Sequence, residues 1–417
     1  MLRLKVLLKA IIPGPIILAY HFLLSWIAAI IYNFPSREII VIAVTGTKGK
    51  SSTIEYLNAI FEAAGHTTAL ASSIRFKLAG VSDPNLTRMT TPGRFFFQRF
   101  LREAVDAKCT IALLEMTSEG ARQSRHRFIN LDALLFINLA PEHIESHGSF
   151  QAYSDAKFEL GRQLARSHKK PRYMAANAED RESGRYLSLP IEHLLPFSLE
   201  GARPWQTSEQ GGSFTFDNIV ISVRLPGEFS LRNALAAATL AHAMGIPVRT
   251  IVKGIGSLER IPGRAENIIE GQSFPVIVDY AHTPDSLHAL YSAYPTRRKI
   301  CVLGSTGGGR DMWKRSVMGS VAEEFCENII LTNEDPYDED PRSITDMIAS
   351  GIKAKKPETI MDRREAIQHA LSLARASDVV LVTGKGTDPT MQGPQGTNVK
   401  WSDADVVREE IRKLLKK

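Results

Sequence analysis

Two hydrophobic rhythms alternate along this chain from Glu38 onward. Short runs that are apolar at nearly every position, and rich in β-branched residues, occur at Ile39–Val44, Ile111–Glu115, Ala133–Asn138, Val276–Asp279, Lys299–Leu303, Ile329–Thr332 and Val379–Thr383. Runs this short with both faces apolar predict strands covered on both sides, as in a parallel sheet. Longer segments between several of them, Ile54–Ala64 among them, repeat apolar residues at helical spacing. The alternation predicts an α/β fold with mostly parallel sheet. A Gly/Ser/Gln-rich interval, Glu200–Asp217, reads as a loop or hairpin, and Leu258–Gly263 as a linker between two α/β units. The expected division is an apolar N-terminal segment 1–37, a central domain 38–262 and a C-terminal domain 263–417.

The N-terminal segment follows neither rhythm. Residues 10–36 carry no Asp, Glu, Lys or Arg, and Arg3, Lys5 and Lys9 precede them. Pro13 and Pro15 shorten the uninterrupted apolar part to Ile16–Tyr32, which is marginal for a span of about 20 residues. Three readings compete. A cleaved signal peptide lacks a small-residue cleavage site. A membrane anchor or interfacial helix through residues 11–32, with Tyr20, Trp26 and Tyr32 at the interface, would hold the protein at the inner face of a membrane. An apolar helix packed on the next domain is the third.

Composition narrows the rest. With 417 residues, 44% hydrophobic and 23% charged, the chain is long enough for two or three cores and excludes a small binding module or a disordered protein. The net charge of +6 suits an anionic substrate or a membrane surface and is too dilute to indicate a nucleic-acid partner. Cys109, Cys301 and Cys326 are widely separated, so neither a disulfide framework nor a structural zinc site is expected, and a reducing cytoplasm is the default. No oligomeric state is assigned.

The segment Val41–Thr53 carries the first chemistry: a hydrophobic strand, the turn Thr45-Gly-Thr-Lys-Gly-Lys-Ser51, then a helix. Gly46 and Gly49 let the backbone approach phosphate oxygens, Lys50 supplies a cation, and Ser51 or Ser52 can place a hydroxyl on magnesium. Glu115 closes a buried strand, where ligands bind in open α/β sheets and where a carboxylate suits magnesium. His143 follows the next strand as a metal ligand or a loop histidine. Lys157, in a helical pattern, reads by itself as a surface lysine.

Taken in order, these motifs resemble one family. Thr45-Gly-Thr-Lys-Gly-Lys-Ser51, Glu115-Met-Thr-Ser118, Phe136-Ile-Asn-Leu-x-x-Glu-His143, Asn233-Ala-Leu-Ala-Ala-Ala238, Ile261-Pro-Gly-Arg264, Val278-Asp-Tyr-Ala-His-Thr-Pro-Asp-Ser-Leu287, Gly307-Gly-Gly-Arg-Asp311 and Gly384-Lys-Gly386 occur in the order seen in Mur ligases, most closely the muramyl-tripeptide synthetases. The resemblance implies a central nucleotide-binding domain of Mur-ligase type, with a mostly parallel sheet, and a C-terminal Rossmann-like α/β domain. It implies an ATP-dependent amide-bond ligase that adds an amino acid to a muramoyl-peptide precursor through an acyl phosphate, with ATP and Mg2+ as cofactors.

Residue by residue, the resemblance puts Gly46, Thr47, Lys48, Gly49, Lys50, Ser51 and Ser52 around ATP, with Asn233, Arg264, Asp279 and His282 at or near its adenine, ribose or phosphate. Ser51, Glu115, His143 and a carbamylated Lys157 would hold metal. Thr90, Thr91, Thr117, Gln123 and Arg125 would touch the muramoyl peptide. Arg310, Glu334, Asp335, Tyr337, Gly384 and Asp388 would form the amino-acid pocket, and Arg310 is counted with Lys50, Glu115, His143 and Lys157 as catalytic.

Several positions depart from the pattern. The family usually carries a uridine-binding domain ahead of the phosphate loop, whereas about 37 mostly apolar residues precede it here, so a lipid-linked acceptor, or a partner that supplies the uridine contacts, is expected beside a UDP-linked acceptor. Tyr337 stands where diaminopimelate enzymes carry Arg, which removes a partner for a second carboxylate and favours lysine or another amine. The family's Gly-Lys-Gly-His-Glu reads Gly384-Lys-Gly-Thr-Asp388 here. Lys48 matches folylpolyglutamate synthetases, so a folate or poly-γ-glutamate ligase is the alternative, and a non-catalytic, membrane-tethered nucleotide-binding homologue is the third reading.

Overall fold

The run Ile40–Thr45 forms β1, and Val41, Ile42, Ala43 and Val44 have no exposed surface. A computed structural model describes residues 14–142 and 144–416. Strand β1 lies between β5 (Ile111–Glu115) and β6 (Ala133–Phe136), parallel to both. Outward on one side come β2 (Thr68–Ala71), β3 (Arg75–Leu78) and β4 (Val81–Pro84); on the other, β7 (Tyr173–Asn177) and β8 (His193–Phe197). The order is β4-β3-β2-β5-β1-β6-β7-β8, parallel except for the β2–β3–β4 meander. Because β1 has a neighbour on each side, its carboxyl end opens a crevice between two crossover directions, where α/β sheets place ligands.

A helix starts at that end of β1. In helix α2 (Lys50–Ala63), Gly49 caps the N-terminus at φ +83, and Gly65 at φ +87 terminates it two residues past its end. Helix α1 (Gly14–Ile31) lies against α3 (Arg94–Asp106). Ser25, Ala28 and Ala29 are buried, the Ser25 hydroxyl donates to the Ser124 carbonyl at 2.9 Å, and the Phe22 ring meets Phe128 edge-on at 5.1 Å. The opposite face exposes Ile16, Tyr20, Leu23, Trp26 and Ile30. Among the described residues no helix is long and apolar enough to cross a membrane.

The chain divides into two compact units: residues 1–139, 151–201 and 233–254 form one, and 140–150, 202–232 and 255–417 the other. In the second, β9 (Gln206–Ser208), β10 (Gly211–Phe216) and β11 (Ile219–Val223) form an antiparallel sheet, so the Gly/Ser/Gln-rich interval is a hairpin. A six-stranded sheet contains β12 (Glu266–Ile268), β13 (Val276–Asp279), β14 (Arg298–Leu303), β15 (Asn328–Leu331), β16 (Glu358–Thr359) and β17 (Asp378–Thr383). Its order is β12-β13-β17-β14-β15-β16, with only β12 antiparallel. The period of two sends Ile277, Leu303, Leu331 and Leu381 into one core and Val278, Val302, Ile330 and Val382 into the other. Burying each such side chain stabilises the fold by about 1.5–3 kcal/mol, so Leu381→Ala should cost about 2–5 kcal/mol.

The absence of a disulfide was wrongly expected. Cys301 on β14 and Cys326, which ends the helix Lys314–Phe325, are bonded, with Cα atoms 6.1 Å apart. The crossover from β14 to β15 brings back a residue 25 positions away, a proximity that sequence spacing does not reveal.

Candidate active site

The turn after β1 is held from several sides. Asn138, two residues past β6, accepts at its side-chain oxygen from the amides of Thr47 (3.1 Å) and Lys48 (2.9 Å), and its own amide donates to the Lys48 carbonyl at 3.2 Å. The Thr47 hydroxyl meets the Tyr153 hydroxyl at 3.0 Å. From helix α4 (Phe150–Ala165), the buried Lys157 ammonium donates to the Gly46 carbonyl at 2.6 Å and lies over the Tyr153 ring. A Cβ on Gly49 would fall 2.3 Å from the Asn233 side-chain oxygen, so Asn233 closes directly on the loop. The loop is thus preorganised, which lowers the ordering cost of phosphate binding.

Glu115, at the end of β5, is the hub. It is 2% exposed and accepts from the Ser51 hydroxyl (2.9 Å), the Ser73 amide (2.8 Å) and the Ser73 hydroxyl (3.0 Å). The Lys50 ammonium stands 4.0 Å from it while donating to the carbonyls of Gly46 and Thr47. A hydroxyl, a carboxylate and an adjacent phosphate loop form the hard-oxygen set that suits magnesium, whose remaining positions go to phosphate and water. His143 lies outside the described residues, and among those described no three His, Cys, Asp or Glu side chains converge as a metal site.

From Glu115 a strip of polar groups runs through the predicted acceptor residues. Ser73 bridges Glu115 to the Thr90 hydroxyl at 2.7 Å. Thr91 meets the Thr117 hydroxyl at 3.2 Å, and Thr117 caps the short helix Ser118–Arg122. Arg125 donates to the Thr91 carbonyl and, at 2.7 Å, to the Gln123 side chain.

In the second unit, the Asp279 carboxylate accepts from the amides of Ala265 and Ala281, both at 2.6 Å, and so fixes the turn that carries Arg264. The Arg264 guanidinium lies over the Tyr280 ring at 4.6 Å. His282 Nε2 is 3.0 Å from buried Glu142, and both line a small cavity of about 30 Å³ together with Arg310, which is exposed, and Lys314. Glu142 therefore pairs with His282, a partner that the motif around His143 did not suggest.

Asp335 accepts from the buried Lys385 ammonium (2.8 Å) and the Gln392 amide (2.7 Å), and Lys385 also reaches Asp388 at 3.3 Å. Burial pushes the Glu334 carboxyl above the usual range; Thr306 donates to one oxygen at 2.7 Å, and the other has no partner among the described residues. A Cβ on Gly384 would fall 2.2 Å from that second oxygen. Tyr337 adopts φ +52, with its ring beside Gly308 and its amide donating to the Gln392 carbonyl. Ser73, Tyr153 and the amide role of Asn138 escaped sequence reasoning: each is a single polar residue whose partner lies far along the chain.

A phosphate loop with a carboxylate at the next strand's end, followed by a Rossmann-like unit, defines a nucleotide-dependent enzyme of α/β class. The chain matches the Mur ligase middle domain over residues 44–241 and the Mur ligase glutamate ligase domain over residues 263–386. It is similar to the UDP-N-acetylmuramoyl-L-alanyl-D-glutamate–2,6-diaminopimelate ligase of Bacillus velezensis, 32% identical over 94% of this chain and 82% of that one. The Geobacillus kaustophilus protein of the same name is 32% identical over 91% and 80%. A solved structure of a ligase of that name aligns with a TM-score of 0.61 at 27% identity, covering 90% of this chain and 79% of its own. Folylpolyglutamate synthase of Mycobacterium tuberculosis, complexed with ADP and AMPPCP, shares the fold at a TM-score of 0.72 and 16% identity over 95% of each chain. The chain belongs to the Mur ligase family of ATP-dependent ligases.

Proposed function

We propose that this protein is an acid–amino acid ligase that extends the peptide of a muramoyl-peptide precursor of the cell wall. The carrying observation is the hub at Glu115, which joins the phosphate-loop Ser51 and Lys50 to the strip from Thr90 to Arg125. The acceptor carboxylate attacks the γ-phosphorus of ATP, expelling ADP and leaving an acyl phosphate. The amine of the incoming amino acid then attacks the acyl carbon and displaces phosphate, losing a proton as the amide forms. No nucleophilic side chain is required. Lys50 and the loop amides offset the charge that develops on the transferred phosphoryl group, and positioning supplies much of the remaining rate. Ser51 and Glu115, with His143 and a carbamylated Lys157, would hold magnesium, which would supply positive charge to offset the negative charge of the phosphates. Asn233, Arg264, Asp279 and His282 are assigned to the nucleotide. Arg310, Glu334, Asp335, Gly384 and Asp388 are assigned to the incoming amino acid.

Tyr337 carries no charge to pair a second carboxylate, which supports lysine or another amine over diaminopimelate. Phosphate release from ATP and magnesium, measured with UDP-N-acetylmuramoyl-L-alanyl-D-glutamate and a panel of amino acids, tests the reading. Release that needs both acceptor and one amino acid supports it. Release with a glutamate or pterin-glutamate acceptor alone would favour the folate-type alternative.

The exposed stripe of α1 supports a cytoplasmic protein docked on a membrane face, in agreement with the lipid-linked form of the acceptor. Residues 1–37 contain four basic and no acidic side chains, which complements anionic headgroups. Binding to vesicles containing phosphatidylglycerol that is lost in Trp26→Glu would support docking; equal binding by both proteins would refute it.

A further inference from the structure

Arg94 and Arg125 are neighbouring cations that make no ion pair among the described residues, and Glu119 only partly offsets the charge of Arg125. Arg125 is 9% exposed and Arg94 half-buried, and both share the side-chain oxygen of Gln123, at 2.7 and 3.4 Å respectively. Neither makes an ion pair with a described residue, and the Nε of each is buried without a partner. Most other buried or half-buried arginines of this unit have one: Arg75 with Glu55, Arg102 with Glu38, Arg127 with Glu159 and Arg172 with Glu192. Burial holds both guanidiniums below the usual arginine range, and for Arg125 repulsion from Arg94 adds to it. Two cations left this way are costly unless an anion arrives. The third member comes from α1: Arg94 donates to the ring of His21.

The order of contacts indicates which anion. Moving outward from Lys50 and Ser51, the chain of contacts passes Glu115, Ser73 and Thr90, then Thr91, Arg125 and Gln123, and ends at Arg94 and His21. An acceptor whose reacting carboxylate lies at the phosphate loop meets Arg125 first and Arg94 last. On the ligase reading, the end of the acceptor farthest from that carboxylate is the sugar and the phosphate that joins it to its carrier. We propose that Arg94, with His21, binds the sugar-1-pyrophosphate of the acceptor. A planar guanidinium suits bidentate phosphate recognition, and an imidazole adds a further donor. The same chemistry occurs in a nucleotide-linked and a polyprenyl-linked acceptor.

The test compares full-length wild type, Arg94→Gln and His21→Phe with three acceptors. These are UDP-N-acetylmuramoyl-L-alanyl-D-glutamate, the same muramoyl dipeptide on a polyprenyl pyrophosphate in detergent micelles, and the dipeptide without phosphate. Loss of a charge-assisted contact should raise KM for the pyrophosphate acceptors about tenfold relative to the phosphate-free one, with kcat moving less. His21→Phe should act in the same direction by about threefold. Whichever carrier loses more in Arg94→Gln is the one the site serves. A KM unchanged throughout, or raised equally for all three acceptors, would overturn the assignment. If wild type releases no phosphate with any acceptor, the ligase reading fails, and calorimetry with the UDP-linked acceptor still decides on Arg94. Binding about tenfold weaker in Arg94→Gln upholds the site, and equal binding or none by wild type removes it. Should Arg94→Gln not fold, Arg94→Lys, which keeps the charge without the bidentate fork, carries the same comparison.

Discussion

Glu115→Gln separates the structural from the chemical part of the hub. The carboxylate accepts three hydrogen bonds, two at Oε2 from Ser51 and the Ser73 amide and one at Oε1 from the Ser73 hydroxyl. A glutamine with its oxygen at the Oε2 position keeps both of the first. Its NH2 then faces the Ser73 hydroxyl, which can rotate to accept. Folding should therefore lose no more than about 1 kcal/mol, with weaker uncharged bonds accounting for most of it. By contrast, Glu115→Ala leaves two hydroxyls and an amide in a buried site without their acceptor and should cost about 2–5 kcal/mol. Catalysis responds differently, because the amide has no charge to hold magnesium or to orient Lys50, 4.0 Å away. Removing one such electrostatic group typically costs about 3–4 kcal/mol in the transition state, or about 10²–10³ in kcat. Thermal melting paired with phosphate release across a magnesium titration reads both effects. A Gln variant that melts like wild type and keeps kcat within about threefold at saturating magnesium would refute the metal-holding role and leave Glu115 only as a scaffold.

Gly49→Ala forces a Cβ to within 2.3 Å of Asn233 at a φ of +83, so nucleotide affinity, read by calorimetry, should fall about tenfold or more; unchanged affinity would contradict the loop geometry. Lys157→Ala should lose activity, and short carboxylates such as formate or acetate should restore part of it if the lysine acts as a carbamate; an absence of rescue with all of them would count against that role. Among the described residues, buried His126 has no partner on either ring nitrogen, and desolvation pushes its pKa down from 6.5 to about 3. The unfolded chain thus binds a proton that the folded chain refuses between those values, so stability falls as pH drops below 6.5, by about 3 kcal/mol at pH 4. His126→Phe should flatten that acid limb in denaturant titrations, and an unchanged limb would assign it to other groups.

Elements whose residues are uniform in character were legible before the fold was known. The two-sided apolar strands were placed within a residue or two, with Ile111–Glu115 and Val276–Asp279 matching at both ends. Strand β2, Thr-Ala-Leu-Ala, is short and lacks Val or Ile, so tertiary pairing with β5 rather than propensity makes it a strand. Strand β8 contains Pro196 and three exposed residues, as an edge allows, and gives no apolar run to read. The phosphate loop was legible because its glycines, lysine and serines are adjacent in sequence. His21 and Arg94 are 73 positions apart, Cys301 and Cys326 are separated by 25, and no local pattern predicts either meeting. The apolar N-terminal segment showed its hydrophobicity but not its packing, since the buried face of α1 is chosen by α3 and the Ser124–Phe128 loop.

Oxygen transfer tests the central claim most directly. An acceptor carrying 18O in its terminal carboxylate is incubated with ATP, magnesium and the amino acid that supports turnover, and the released phosphate is weighed by mass spectrometry. An acyl-phosphate ligase must place one acceptor oxygen in each phosphate for every amide formed. Phosphate that carries no label while ATP is consumed would mean that water, not the acceptor, attacks the nucleotide, and would contradict the assignment of this site to amide-bond formation.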